Sequence, residues 1–499
     1  MTIRFQPIIP LAFLFLCLFT TRELPAKNVT VTDFGAIGDA STLNTNALQS
    51  AIDACAESGG GEVLVPPGSY ITGTIFLRSH VELRLSRGAV IMGSTDNPKD
   101  YPVRSMIVAD GIEAAGISGP GIIDGQARHP DFIAKGYRVN DGKRPYAIYY
   151  KDSRRMSLTD VEIRDAGSWT VRLFRCDGVK IDGISLHCLA QGNNDGIDVD
   201  ARNVTISNCR INADDDGICL KSDDPDFLPE NITITNCIIS SNCNPIKLGT
   251  ASRAGFRNVT VSNCVIRRTE ESNIWDWSKE YRRIAPGTRT GLAGIAIESA
   301  DGGIIEHLTF TNITMEGIIT PIFICLNRRK GNGTGIIRNI HISNITAVAE
   351  GIIPCIITGI PGSRVSDITL RDISVEHNGG EQPMTKRLPE SLNGYPENRM
   401  FGHFNPAGGL YVRHADNIIV ENFRIRQRNT DYRPAVVVDD VTDLRIEGLQ
   451  SVGSESSAMV QAIESRGITL EGREITNIAL SDKGLAKHDF EFADKWLKK

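Results

Sequence analysis

The sequence predicts an all-β solenoid, in which the chain winds into coils of short parallel strands. A nine-residue pattern, Asn-Val-Thr-Ile-Ser-Asn-Cys-Arg-Ile at 203–211, returns in similar form at 231–239 and 258–266, in steps of 28 and 27 residues. Repeats of this length are typical of solenoids, where each repeat forms one coil stacked on its neighbour. Short alternating segments separated by turn residues continue through the rest of the chain and indicate at least about ten coils.

The start of the chain has the pattern of an export signal. Arg4 precedes an apolar run from Leu11 to Phe19, and the small residue Ala26 follows. The run is too short for a stable membrane-spanning helix. We therefore expect residues 1–26 to be a signal peptide and residues 27–499 to form a single domain. The mature protein would be secreted or periplasmic, without membrane association.

A short capping helix is expected near the start of the mature chain. From Thr45 to Cys55 the apolar residues recur at helical spacing, and three glycines at 59–61 end the pattern. The first coil of a solenoid would otherwise expose its core and its strand edges. An isolated amphipathic helix in a β-rich chain most simply covers that open end.

Recurrent asparagines and cysteines in the repeat have structural interpretations. Asparagine tolerates the left-handed conformation that a sharp bend between strands requires, and stacked asparagines can hydrogen-bond along the axis. We therefore favour structural roles over glycan attachment for the Asn-X-Ser/Thr sequences of the repeat. Cys209, Cys237 and Cys264 share one register and are expected to form a ladder of buried thiols, although a disulfide between coils is geometrically possible.

The charge balance restricts the partners. The chain has 54 Lys and Arg against 60 Asp and Glu, a net charge of −6. No large basic field is available for nucleic acid, so we expect no nucleic-acid partner, and an acidic polymer would have to bind at a local basic pocket. A solenoid with a capped end favours a monomer.

The alternation of the strands predicts a cluster of carboxyl groups. Four aliphatic pairs are expected to point into the solenoid: Ile197 with Val199, Ile218 with Leu220, Ile246 with Leu248, and Ile295 with Ile297. Asp195, Asp216 and Asn244 each stand two residues before one of the first three pairs. Asp195 and Asp216 would then be neighbours on adjacent coils, about 5 Å apart, with Asp215 beside them.

Carboxyl groups this close would differ in protonation. Repulsion between like charges raises at least one pKa, so one group can hold a proton while another is ionised. This arrangement suits general acid–base chemistry. A calcium site and a solvated acidic turn are the alternative interpretations of the same cluster.

Four stretches together resemble family 28 of the glycoside hydrolases, the polygalacturonase family. They are Asp33 to Asp39, Gly59 to Tyr70, Asn193 to Asp198, and Asp215-Asp216. The resemblance implies a right-handed parallel β-helix of the pectin-lyase-like kind and inverting hydrolysis of α-linked galacturonic acid in pectic polysaccharide or oligogalacturonide, without a cofactor or metal. It also implies that Asp215 protonates the leaving oxygen, while Asp195 and Asp216 hold and deprotonate the attacking water.

Two departures from the family pattern affect the substrate contacts. The family's Gly-His-Gly is replaced by Cys243-Asn244-Pro245, so Asn244 would take over from the histidine that orients the acid. The family's Arg-Ile-Lys reads Ala296-Ile297-Glu298, which removes two cations. Lys221 and Lys247 could replace that charge or form ion pairs with the aspartates. The expected substrate-binding residues are Asn193, Lys221, Asn244 and Lys247.

Three inserts break the repeat, at 126–144, 267–290 and 377–409. Insertions in a solenoid project from one face, often the binding face. The middle insert carries Trp275, Trp277 and Tyr281, which could stack on sugar rings or simply pack the insert onto the coils. Arg328-Arg329 and Arg413-His414 are weaker candidates for uronate contacts. The departures and the inserts would fit exo action, or a branched or rhamnogalacturonan region of pectin.

Two other functions are compatible with the sequence. A calcium-dependent pectate lyase would need an arginine base beside the acids, and no arginine aligns with the acidic positions on their coils. A non-catalytic β-helix that only binds polysaccharide is the other alternative.

Overall fold

The computed structural model describes residues 28–95, 99–131, 144–269, 291–329, 333–384, 386–388, 390, 395–401 and 406–480. The predicted signal peptide and the aromatic residues of the middle insert lie outside these residues. The described chain is a parallel β-helix, as predicted. One α-helix, Thr45–Glu57, and two short 3-10 helices, Val31–Phe34 and Asn398–Phe401, accompany the strands.

The strands follow one another around successive coils. The first coils contain Val29–Thr30, Asp39–Leu43, Gly61–Val65, Gly68–Thr72, Ile75–Phe76, Val81–Leu85, Ala89–Gly93, Ser105–Asp110, Gly116–Ser118 and Ile122–Asp124. The central coils contain Tyr146–Lys151, Arg154–Thr159, Glu162–Arg164, Val171–Asp182, Ser185–Cys188, Ile197–Ser207, Arg210–Ala213, Ile218–Ser222, Glu230–Thr235, Ile238–Ser241, Ile246–Ser252 and Gly255–Arg268. The last coils contain Gly291–Ser299, Ile304–Leu326, Ile336–Ala349, Cys355–Thr358, Val365–Gly379, Leu410–Asp431, Val436–Glu447, Gln450–Ser454, Val460–Ile463, Arg466–Leu470 and Arg473–Glu474.

Pairing between coils is parallel. The strand Ile197–Ser207, for example, pairs with Val171–Asp182 on one side and with Ile218–Ser222 on the other. Among the described strands, only the final pair, Arg466–Leu470 with Arg473–Glu474, is antiparallel. Residues at equivalent positions of successive coils therefore form continuous rows along the axis.

The predicted capping helix is present and closes the first coils. Its apolar face, Leu48, Ala51, Ile52 and Cys55, is buried. The Gln49 side chain accepts a hydrogen bond from the Phe76 backbone N–H at 2.7 Å and donates one to the Phe76 carbonyl at 3.0 Å. The helix thus satisfies strand groups on the side that faces away from the next coil, where they would otherwise have no partner.

The core consists of stacked aliphatic rows. All eight residues of the inward pairs predicted from the sequence have no measurable exposure. Each such side chain contributes about 1.5–3 kcal/mol relative to an exposed position. Because one face of each strand is buried, a slip of one residue would turn the whole row outward, and the register is therefore strongly specified.

The asparagine and cysteine interpretations are also confirmed. Asn203, Asn231 and Asn258 have φ values of 55–56°, and their side chains hydrogen-bond from coil to coil at 3.0 and 3.1 Å. Cys209 and Cys237 are buried thiols on successive coils, without a disulfide, and Cys264 continues the row. Within the described part of the chain, no helix has the length and apolarity needed to cross a membrane.

Candidate active site

The register brings Asp195, Asp216 and Asn244 together on three successive coils, as the sequence predicts. The Gly196 N–H donates to the Asp216 carbonyl and the Gly217 N–H to the Asn244 carbonyl, both at 2.9 Å. The aspartates therefore precede their strands at equivalent positions.

Glycine follows each aspartate because the coils approach closely there. A Cβ atom at Gly196 would lie 2.4 Å from the Gly217 carbonyl oxygen. A Cβ at Gly217 would lie 2.5 Å from the Pro245 carbonyl oxygen. The Asp-Gly-Ile sequence on both coils thus has a steric cause, and it lets the carboxyl groups stack at the coil spacing.

Asp216 lies at the centre of the carboxyl cluster. One oxygen of Asp195, one of Asp216 and the Cys219 sulfur lie within 4.8 Å of one another. A second group of the same kind contains Asp215, Asp216 and Cys243. Asp195 and Asp216 are each only 3% exposed, whereas Asp215 is half-buried. Asp215 is therefore the most accessible of the three acids.

Two buried lysines pair with these acids. The Lys247 ammonium lies 3.2 Å from Asp216 Oδ2 and 3.8 Å from Glu298 Oε2. The Lys221 ammonium lies 3.3 Å from Asp195 Oδ2 and 3.1 Å from an oxygen of Asp198. Of the two roles that the sequence left open for the lysines, the structure shows the ion pairs.

The surroundings separate the pKa values of Asp215 and Asp216. Burial, together with the negative charge of Asp216, raises the pKa of Asp215 to about 6. Burial also opposes ionisation of Asp216, but the ammonium groups of Lys247 and Lys221 and the Asn244 amide outweigh it and hold its pKa below the ordinary value. Near pH 5, Asp215 thus holds a proton while Asp216 is ionised.

The third acid differs from both. Burial and the neighbouring Asp198 carboxylate raise the pKa of Asp195 well above its usual range, although Lys221 acts in the opposite direction. Asp195 therefore keeps its proton over much of the pH range in which Asp216 is ionised, and it can act as a hydrogen-bond donor.

Two asparagines orient the acids. The Asn244 amide donates to Asp216 Oδ1 at 2.8 Å, and its own oxygen accepts from the Ala293 N–H at 3.2 Å. Sequence reasoning expected Asn244 to orient the acid Asp215, but the direct contact is to Asp216. Asn193, in the left-handed conformation at φ 57°, instead donates to Asp215 Oδ2 at 3.3 Å.

A buried arginine holds Asn193 in place. Arg144 is 1% exposed, and its guanidinium donates to the Gly167 carbonyl at 2.9 Å and to Asn193 Oδ1 at 3.2 Å. Sequence reasoning missed this contact because Arg144 ends an insert without a repeat pattern. The chain of contacts from Arg144 through Asn193 to Asp215 fixes the acid on a rigid support.

Tyr395 brings the third insert to the other side of the cluster. Its hydroxyl lies 2.8 Å from the Thr250 hydroxyl and 3.5 Å from the Lys247 ammonium, which also lies 5.5 Å from the ring centre. Tyr395 is 39% exposed. No pattern in the sequence identified it, since the insert has no register with the coils.

Comparison with known proteins shows which family part of the chain resembles. Residues 55–274 match the family model described as glycosyl hydrolases family 28. This part of the chain is similar to that family. The match includes all three aspartates of the cluster and both lysines.

Relatives and solved structures agree with this similarity. The chain is 30% identical over 225 residues to a probable polygalacturonase from Vitis vinifera, covering 40% of this chain and 45% of the relative. It is 24% identical over 414 residues to a polygalacturonase from Gossypium barbadense, covering 76% and 92%. An exopolygalacturonase structure from Thermotoga maritima superposes with a TM-score of 0.63 at 20% identity, covering 81% and 92%, and so shares the fold.

The extent of the similarity varies. A relative from Dickeya chrysanthemi, an exo-poly-alpha-D-galacturonosidase, is 47% identical over 83 residues, which cover 17% of this chain and 13% of the relative. The chain thus matches less than half the length of this relative and of the Vitis vinifera relative.

The carboxyl cluster is poorly suited to calcium. Calcium takes six to eight oxygen ligands, whereas each group described above offers two carboxylates and a thiol. Lys221 and Lys247 already pair with these carboxylates and would repel a cation. The donor set and the charge therefore favour proton transfer over metal binding.

Three of the four weaker uronate candidates, Arg329, Arg413 and His414, are already bound to carboxylates, whereas Arg328 donates its backbone N–H to Asn327 Oδ1 at 2.7 Å. Arg413 is 2% exposed and lies near Glu390 and Asp439. His414 contacts Glu390 and Asp440. Arg329 similarly pairs with Asp301. These side chains stabilise the coils and the third insert.

Proposed function

We propose that this protein is an inverting glycoside hydrolase that cleaves α-galacturonosyl linkages in pectic polysaccharide or oligogalacturonide. The observation that carries the proposal is the cluster of Asp195, Asp215 and Asp216, whose surroundings separate the pKa of Asp216 from that of Asp215. The names of the relatives, polygalacturonase and exo-poly-alpha-D-galacturonosidase, support the choice of substrate.

In this reaction Asp215 donates its proton to the glycosidic oxygen as the bond from that oxygen to the anomeric carbon breaks. Water attacks the anomeric carbon from the opposite face, and Asp216 takes the proton that the water releases. The nearest oxygens of Asp215 and Asp216 lie within 4.8 Å of each other, which is closer than the separation of about 6.5–9.5 Å usual for inverting enzymes, so inversion is proposed from the relatives and not from this distance. Asp195 holds the water by a hydrogen bond. Exchange of protons with solvent restores Asp215 and Asp216, so no cofactor is consumed.

The lysines and asparagines prepare the acids for these roles. Lys247 keeps Asp216 ionised, and Lys221 holds the Asp195 carboxyl group in position. Asn193 and Asn244 fix the two carboxyl planes. Groups that are already oriented need no rearrangement during the reaction, which is the main source of electrostatic catalysis. The proposed site includes both lysines and both asparagines. Of these four side chains, Asn193 and Lys221 keep some contact with solvent, while Asn244 and Lys247 are more deeply buried.

Cleavage from a chain end is the proposed mode of action. Tyr395 contacts Lys247 and Thr250 on the coil after Asp216, where its ring would limit the extension of a bound polymer. We also propose that residues 1–26 direct export and that the mature enzyme acts as a secreted or periplasmic monomer.

The described arginine that aligns with the acidic coil is unsuited to be the base of a lyase. Arg172 aligns with Asp198 one coil before the cluster, an alignment that the sequence did not reveal. Its guanidinium contacts Asp200 and Asp223. Burial alone would lower the pKa of Arg172, but the three carboxylates outweigh burial and raise it. A cation stabilised in this way does not accept a proton.

Product analysis tests the proposal. Purified protein is incubated with homogalacturonan, rhamnogalacturonan and a branched pectin fraction, with and without calcium, and products are separated by size and monitored for ultraviolet absorbance. We expect reducing sugar, mainly monosaccharide from homogalacturonan, without the absorbance of unsaturated products. Unsaturated products that require calcium would indicate a lyase. Tight binding without turnover on every fraction would indicate a polysaccharide-binding protein.

A further inference from the structure

The row of residues that contains the aspartates continues toward the N-terminal coils as aromatic side chains. Val171 pairs with Ile197, and Ile148 pairs with Val171. Two residues before these positions stand Asp195, Trp169 and Tyr146. Tyr146 and Trp169 are therefore the equivalents of Asp195 on the two preceding coils.

These aromatic rings form a stack that ends in an arginine. The Tyr146 and Trp169 rings are nearly parallel, at 8°, with centroids 5.7 Å apart. The Arg104 guanidinium lies 4.7 Å from the Tyr146 ring centre, while the Lys221 ammonium lies 5.0 Å from that of Trp169. Cations over aromatic faces are attracted by the ring quadrupole. The stack thus joins Arg104 to the acid cluster in one row.

Arg104 differs in its partners from the other cations near the aromatic stack and the acid cluster. Its hydrogen bonds go to the Arg144 carbonyl at 2.6 Å, to the Tyr146 hydroxyl at 3.2 Å and to the Ser168 hydroxyl at 3.0 Å. All three are neutral, and no described residue forms an ion pair with Arg104. Arg172, Lys221 and Lys247, by contrast, each contact carboxylates.

The guanidinium is positioned to accept an anionic ligand. Arginine has five N–H donors, and the three contacts above leave an N–H on each terminal nitrogen. Arg104 is half-buried, so it retains solvent access while three hydrogen bonds and the ring hold it still. A planar carboxylate can bind such a fork through two hydrogen bonds.

We propose that Arg104 binds the carboxylate of a galacturonate unit that lies beyond the sugar next to the scissile bond. This inference rests on the proposed function for the identity of the sugar. The Arg104 guanidinium lies over the ring of Tyr146. Tyr146 is two coils before Asp195, a distance of about 10 Å along the axis. Arg104 would compensate for the cations that Ala296 and Glu298 remove from the opposite side of the cluster, and it would select unesterified pectin.

Binding measurements separate this inference from the proposed function. Binding is measured by isothermal titration calorimetry with the Asp215→Asn variant, so that no substrate is consumed. The ligands are galacturonate oligomers and their fully methyl-esterified forms. Adding Arg104→Gln should weaken binding of the acidic oligomer about 10- to 100-fold and change binding of the ester less than about twofold. Arg445→Gln, at an exposed ion pair with Glu421, is the matched control and should change neither.

The outcomes distinguish the two claims. Equal losses for acid and ester would assign Arg104 a structural role and overturn the inference, as would unchanged binding of the acid. If Arg104→Gln does not fold, Arg104→Lys is measured instead. It retains the charge without the planar pair of donors, so its affinity for the acidic oligomer should fall by a smaller factor, with the ester little affected. Turnover is measured separately with the protein that retains Asp215 and Arg104. If that protein binds the oligomers but does not cleave them, the result counts against the proposed function and not against the role of Arg104. Absence of binding by any galacturonate oligomer would overturn both.

Discussion

Replacing Lys247 with methionine should move the pH dependence of the reaction. The Lys247 ammonium lies 3.2 Å from Asp216 Oδ2, which gives an attraction of about 5 kcal/mol at an effective dielectric constant of about 20. Even a quarter of this energy equals about one pKa unit. Lys247 lowers the pKa of both Asp216 and Asp215. Its loss should therefore shift the acidic and the alkaline limb of the activity–pH profile to higher pH, by about one pH unit or more.

The assay is the pH dependence of kcat between pH 3 and 8, measured as reducing-sugar release at saturating oligogalacturonate. Lys247→Arg, which keeps the charge, should restore a profile close to the original. Lys151→Met is the control, because Lys151 forms an exposed pair with Asp110, and it should change nothing. An unshifted profile in a folded Lys247→Met protein would refute the assignment of Asp216 as the base.

The remaining predictions concern the acid, its titration, the coil contacts and metal. Asp215→Asn should lower kcat at least about 100-fold, since general acid catalysis contributes 10²–10⁴, and full activity would disprove its role as acid. Activity should fall above about pH 6, where Asp215 loses its proton; a fall only above pH 8 in the same kinetic assay would contradict this. Gly196→Ala should destabilise the fold by about 1–3 kcal/mol in urea unfolding because its Cβ would meet the Gly217 carbonyl, whereas Gly333→Ala, with open space around it, should not. Chelation with EDTA should leave turnover within about twofold, and a loss restored by calcium would revive the metal interpretation.

The methionine variant should also lose stability in a pH-dependent manner. Breaking a buried ion pair costs about 3–5 kcal/mol because a charge remains uncompensated. Without Lys247 the pKa of Asp216 in the folded state would exceed that in the unfolded chain, and the pKa of Glu298, which burial already raises to about 7, would rise further. The destabilisation is therefore largest at neutral pH and decreases as the pH falls and these groups bind protons.

The register of the catalytic coils was predictable from sequence because a repeated pattern encodes it. Inward pairs such as Ile197 with Val199 can be aligned without a structure, and they place Asp195, Asp216 and Asn244 in one row. The capping helix was predictable for the same reason, since the apolar face of Thr45–Glu57 has a regular period. In both cases a periodic burial pattern determines the structure.

The choice of side-chain partners was not predictable in this way. Asn244 lies beside two carboxyl groups, and side-chain geometry rather than register decides that it contacts Asp216. Arg104 and Tyr395 lie outside the nine-residue repeat, so no alignment connected them with the aspartates. The alignment of Arg172 with Asp198 was missed because the coil of Arg172 lacks that repeat.

The stereochemistry of the first product tests the central claim most directly. Proton NMR during cleavage of an oligogalacturonate records the anomer before mutarotation equilibrates it. An acid and a base acting on opposite faces of the sugar should release the β-anomer from the α-linkage. Release of the α-anomer would indicate a covalent intermediate on one of the carboxylates, and it would contradict the roles assigned to Asp215 and Asp216.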